Sequence, residues 1–270
     1  METRFIAFEN TRLAVHLAGH GPLAMLLHGY PLDHRMWLDV MHGPLAEQRT
    51  LAAIDLRGHG QSPWCGDTVH TMELLADDVS TVIHTLTDDA IDIVGLSMGG
   101  YVAQALWQHH GGLVRSLALV DTRSRSDDDA GKASRNSAAQ TVVAQGRGAL
   151  AAGMLPKLLA SRPASDAHGL MLRARLQTMM EAQSIETIVA DLRGLRDRPD
   201  RTDMLPSIAV PTLVVVGSED AITPRAESEQ MAKSIPGAKL AVVAGCGHMT
   251  PMEDPATFAR ELGAFWRALG

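Results

Sequence analysis

Apolar and polar positions along this chain follow two alternating patterns. Short apolar runs occupy residues 23–27, 50–56, 91–94, 117–120, 211–216 and 239–243. Runs of this length without regular polar interruption predict strands buried on both faces, as in a parallel sheet. Ahead of them, residues 4–8 and 12–17 predict two more strands, with Glu9 and Asn10 as the turn between them. Between the runs the period changes. Residues 72–86 place Leu75, Val79, Val82, Ile83 and Leu86 on one helical face, and residues 101–109, 224–235 and 255–269 also read as helices. Strands that alternate with helices predict βαβ units, right-handed crossovers and a mainly parallel sheet, which is an α/β fold.

The alternation breaks off after residue 122. Residues 123–205 carry no convincing strand and are rich in Ala, Arg, Leu and Met, with helical segments at 138–145, 150–159, 170–181 and 185–192. Gly153 and Pro156 make the second the weakest. The expected organisation is a core of residues 1–122 and 206–270 interrupted by a helical insert, 123–205.

Composition narrows the function classes. Hydrophobic residues make up 46% of the 270 and charged residues 20%, enough for a sizeable soluble core. The net charge is −7 and no basic stripe appears, which argues against nucleic acid or an anionic membrane surface as partner. The two cysteines, Cys65 and Cys246, lie too far apart in sequence to suggest a disulfide framework. No run approaches the roughly 18 apolar residues of a membrane span, and Met1 to Phe5 opens no signal-like segment. A reduced, cytoplasmic, soluble protein is the expectation. No metal is expected: there is no His-Glu-x-x-His and no Cys/His cluster at ligand spacing.

The chemistry concentrates where strands end. Gly95-Leu96-Ser97-Met98-Gly99-Gly100 follows the strand at 91–94 and runs straight into a helix. A serine between glycines on a tight strand-to-helix turn is the pattern of a nucleophile elbow, and Gly95 and Gly99 remove the side chains that would clash there. The following helix N-terminus favours negative charge beside Ser97. A serine hydroxyl needs a base, and the base needs an orienting carboxylate. Downstream, Asp220 and His248 stand at the ends of two later strands and supply both, in the chain order Ser, Asp, His.

With these segments, the chain resembles the α/β-hydrolase fold over nearly its whole length. Further matches are His28-Gly29-Tyr30-Pro31, the segment from Asp55 through Arg57-Gly58-His59-Gly60 to Ser62, Gly217-Ser218-Glu219-Asp220 and Gly245-Cys246-Gly247-His248. In detail it is similar to cofactor-free haloperoxidase-like esterases and 3-oxoadipate enol-lactonases. The resemblance implies Ser97 as nucleophile, Asp220 as acid and His248 as base, with Asp121 as rival for the acid. It implies an oxyanion hole made by the backbone N–H groups of Met98 and Tyr30, with His28 and Gly29 bracing that loop. It implies that the insert caps the site and that no cofactor is needed. Trp37, Met154 and Met249 are expected to border the pocket, although methionines of the insert equally suit the seam between insert and core.

The reading is a serine hydrolase of small carboxylic esters or lactones, a monomer or homodimer. Carbon–carbon bond hydrolases share the triad, and the haloperoxidase-like resemblance adds perhydrolysis as a side activity. Dehalogenases and epoxide hydrolases carry an aspartate at the position of Ser97. A non-catalytic ligand-binding protein on the same scaffold is the alternative from another class. Two geometric expectations follow: positive φ at Ser97, and a hydrogen bond from His248 to Asp220 rather than Asp121.

Overall fold

The computed structural model describes residues 1–9, 11–161 and 165–270. The expected turn at Glu9 and Asn10 therefore falls partly outside the described residues, at Asn10. An 8-stranded sheet runs in the order β1-β2-β4-β3-β5-β6-β7-β8. β1 (Glu2–Phe8), β2 (Thr11–Gly19) and β4 (Thr50–Ile54) pair antiparallel in sequence across that edge. All other neighbours are parallel: β3 (Leu23–Leu27), β5 (Ile91–Leu96), β6 (Val114–Val120), β7 (Thr212–Gly217) and β8 (Lys239–Val243).

Both faces of the sheet are covered, as the unbroken apolar runs require. On β3, Met25 and Leu27 enter one core and Ala24 and Leu26 the other. The first core is closed by α2 (Met72–Leu86), α3 (Met98–His110) and α8 (Arg225–Ser234). The second is closed by α1 (Leu38–Met41), α9 (Thr250–Glu253) and α10 (Pro255–Arg267).

Between β6 and β7 the chain forms α4 (Asp129–Gln145), α5 (Arg147–Leu158), α6 (Ala167–Ala182) and α7 (Ile185–Asp197). The helix expected at 138–145 begins nine residues earlier than its sequence pattern suggested. Asp128 caps it by accepting from the Gly131 N–H at 2.8 Å. Only Val142 of α4 is buried, so most of that helix offers no apolar period to read. Pro156 lies inside α5, two residues before its end, where little of the helical hydrogen-bond ladder remains to be lost. α6 buries Leu172, Leu176, Met179 and Met180 in the second core, and α7 buries Ile188, Leu192 and Leu195 in the first.

A buried charge cluster joins insert to core. Asp191 of α7 holds His59 Nε2 at 2.8 Å and His70 Nδ1 at 2.7 Å. Burial works against charge on His59, but Asp191 outweighs it and raises the imidazole above its ordinary value.

Candidate active site

Ser97 occupies the N-cap of α3 with φ 52° and ψ −111°. A non-glycine residue in that conformation stores on the order of 1–3 kcal/mol of strain, which its surroundings must hold. Four contacts hold it, one of them the Tyr101 N–H donating to the Ser97 carbonyl at 3.2 Å. The Ser97 N–H donates to Val120 O (3.0 Å), its carbonyl accepts from Gly100 N (2.9 Å), and the Thr122 hydroxyl donates to the same carbonyl (2.9 Å). A Cβ on Gly95 would lie 2.3 Å from Gly99 O, and one on Gly99 would lie 2.2 Å from Leu27 O. The turn closes at this radius only because both positions are bare.

Asp220 follows β7 and is fully engaged. Its Oδ1 accepts from Ile222 N (2.8 Å) and Thr223 N (2.9 Å), and its Oδ2 accepts from Thr223 Oγ1 (2.6 Å) and His248 Nδ1 (2.8 Å). Because the carboxylate only accepts, Nδ1 of His248 carries the proton and Nε2 is left as the basic nitrogen. Burial opposes charge on both partners, but each outweighs it for the other: Asp220 is lowered and His248 raised. The His248 loop is pinned from two sides. His248 N donates to Leu158 O of the insert (2.9 Å), while Glu253 accepts from Gly247 N (2.8 Å). A Cβ on Gly217 would stand 2.0 Å from Gly247 O, so the loops bearing Asp220 and His248 touch backbone to backbone.

Asp121, at the end of β6, serves differently. Its Oδ1 accepts from Gly217 N (2.9 Å), and its Oδ2 from Thr250 Oγ1 (2.7 Å) and Thr250 N (3.2 Å). It ties β7 to the start of α9 and leaves the imidazole to Asp220. Burial first, and the Asp220 charge second, push its carboxyl up to about 7.

The loop after β3 lies against the elbow: a Cβ on Gly29 would come within 3.5 Å of Ser97 Cβ. His28 braces this loop as a neutral ring. Its Nδ1 faces Gly29 O (3.0 Å), and Nε2 accepts the Leu56 N–H (3.0 Å). Burial, reinforced by the neighbouring His59, pushes its pKa down to about 4. Met98 is the first residue of α3, where a backbone N–H has no partner within the helix.

Ser97, His248, Met98 and Tyr30 line one cavity of about 320 Å³, at the lower end of the usual range for small-molecule sites. Met154 lines it as expected. Trp37 and Met249 do not. Trp37 is fully buried and packs against Phe258, with ring centroids 6.1 Å apart, and Met249 sits in the same core. Strand ends at this edge of the sheet converge on the site, but a large apolar side chain near them is drawn into the core first. The insert adds Arg123, Asp127 and Arg135 to the cavity wall. These were not singled out by sequence reading; their signal is a run of charges at four- and eight-residue spacing just after β6. The described residues also place His16, His34 and Asp55 together. That carboxylate already accepts from both rings and from the His34 and Gln61 N–H groups, so the cluster reads as a satisfied hydrogen-bond network.

Comparison with known proteins finds relatives of the same fold. A sequence model described as the Alpha/beta hydrolase family matches residues 24–261. The AB hydrolase superfamily protein YisY of Bacillus subtilis is 30% identical over 258 residues, covering 89% of this chain and 90% of that one. A thermophilic esterase from Thermogutta terrifontis superposes with a TM-score of 0.93 at 34% identity, covering 100% of this chain and 99% of that one. The enol-lactonase from Burkholderia xenovorans LB400, at 24% identity, shares the fold with a TM-score of 0.88, covering 98% of this chain and 100% of that one.

Proposed function

Because the chain belongs to the alpha/beta hydrolase family, we propose that it is a serine carboxylesterase acting on small carboxylic esters, lactones included. The observation that carries this reading is the constellation itself. A strained serine at the elbow shares a cavity with an imidazole whose other nitrogen is held at 2.8 Å by a buried carboxylate. The similarity to the Thermogutta terrifontis esterase supports the choice of ester bonds.

In this mechanism Ser97 Oγ attacks the ester carbonyl carbon while His248 Nε2 takes its proton. Asp220 stabilises the imidazolium that forms. The carbonyl oxygen becomes an alkoxide held by the N–H groups of Met98 and Tyr30; each such donor contributes about 3 kcal/mol to the transition state. The bond to the leaving oxygen breaks as His248 returns its proton to it, and the alcohol departs. Water, deprotonated by His248, then attacks the acyl-enzyme, and the carboxylic acid leaves as Ser97 regains its proton. The insert, residues 123–205, caps the cavity, and no cofactor takes part.

The test is hydrolysis of p-nitrophenyl acyl esters, from acetate to decanoate, by wild type and Ser97→Ala. Wild type should turn over the short members, and the variant should lose about 10⁴-fold or more in kcat. Turnover that survives in Ser97→Ala would refute the assignment.

A further inference from the structure

The insert side of the cavity carries positive charge that the protein itself does not balance. Three guanidinium groups meet one carboxylate, Asp127: Arg123 Nη2 at 2.5 Å, Arg135 Nε at 3.0 Å and Arg198 Nη2 at 2.9 Å. Burial pushes the Asp127 carboxyl up, but Arg198 and Arg135 outweigh it and hold it at about 2, so it is a fixed single charge. Glu227 lies close enough to raise Arg123 as well, but it is engaged by Arg125. Arg123 and Arg135 line the same cavity as Ser97.

Two donors on residues that line the cavity are also unmet. Nε of Arg123 and the hydroxyl of Tyr30 are shut off from solvent and have no hydrogen-bond partner among the described residues. Tyr30 is only 7% exposed and borders the cavity. Excess guanidinium on the cavity wall calls for an anion rich in acceptor oxygens. Guanidinium forks match the planar carboxylate best.

We propose that this wall recognises a carboxylate on the substrate, remote from the scissile ester, so that the preferred substrates are half-esters of short dicarboxylic acids. The proposal deepens the carboxylesterase reading and rests on it for the identity of the scissile bond, though not for the identity of the wall.

The experiment compares monomethyl glutarate with its uncharged isostere, methyl 5-methylhexanoate, by pH-stat. Wild type should favour the half-ester by about tenfold or more in kcat/KM, mainly through KM, and added salt should shrink the advantage. In Arg135→Gln the ratio should fall at least about fivefold, with partial recovery in Arg135→Lys. A wild-type ratio of one or less overturns the proposal, as does a loss in Arg135→Gln shared equally by both esters. Calorimetric titration of folded Ser97→Ala with glutarate, against 1,5-pentanediol, reads the wall without turnover. Glutarate binding that weakens about tenfold or more on adding Arg135→Gln supports the wall even where both esters prove inert, and only the esterase reading then falls. Absence of glutarate binding overturns the wall itself.

Discussion

Asp220 holds Nδ1 of His248 at 2.8 Å, while Asp121 in the same corner holds only Gly217 and Thr250. The two carboxylates are thereby assigned different work. Asp220→Asn should lower kcat by about 10³–10⁴-fold, because an amide can no longer fix the ring tautomer or stabilise the imidazolium. Asp121→Asn should keep kcat within about tenfold and instead cost about 1–3 kcal/mol of stability, read from urea unfolding. The reverse pattern would move the acid to Asp121.

The same pair sets a pH profile. In the proposed mechanism the working form of His248 is neutral, and Asp220 raises its pKa above the ordinary 6.5. Wild-type kcat/KM should therefore fall as pH drops through a value above 6.5. In Asp220→Asn only the Asp121 and Glu253 charges still oppose burial, so the residual activity should persist to lower pH. An acid limb that stays in place in the variant would separate it from His248.

His28 gives a stability profile of opposite origin. Its folded pKa is about 4, against 6.5 when exposed, so between these values the unfolded chain binds more protons. The contribution is complete above pH 6.5 and is lost as pH falls toward 4, amounting to about 3 kcal/mol. Nitrogen-15 NMR at pH 5.5 should show His28 neutral with its proton on Nδ1; an imidazolium there would contradict the argument.

Gly99→Ala should be poorly tolerated. The added methyl meets Leu27 O at 2.2 Å and His28 O at 2.9 Å, both backbone atoms that cannot rotate away. A loss of about 2–3 kcal/mol in unfolding free energy is expected, together with loss of ester turnover from a displaced Ser97. A variant with wild-type stability and rate would mean the elbow has slack.

Asp191→Asn should destabilise the protein by about 1–3 kcal/mol, since it takes from the buried rings of His59 and His70 the carboxylate they share. Thermal unfolding measures the loss, and faster amide exchange should appear first in α7.

Much of this organisation is legible in the sequence. The strands at 23–27 and 239–243 and the helix at 72–86 emerge with the bounds their apolar patterns give. The positive φ of Ser97 follows from glycine spacing, which encodes local geometry, whereas Asp220 as the partner of His248 is what the family resemblance implies. The insert is less legible. α4 buries one residue, so its apolar period is silent over half its length. Asp127, Arg135 and Arg198 look like surface charges until folding brings them to one point. Trp37 illustrates the converse: proximity in sequence to the Tyr30 loop suggests a pocket, and packing against Phe258 removes it.

The union of Asp191 with His59 and His70 bears on how ligands come and go. Raising α7 as a rigid body would pull a buried carboxylate off the two buried imidazoles it holds, a steeper climb than side-chain rearrangement. In the proposed mechanism the insert would thus act as a fixed roof rather than a swinging door. The leaving alcohol of the proposed reaction would then pass at the eaves, where Lys157 and Ala221 stand exposed on the cavity rim, and the width of that opening would select among alcohols.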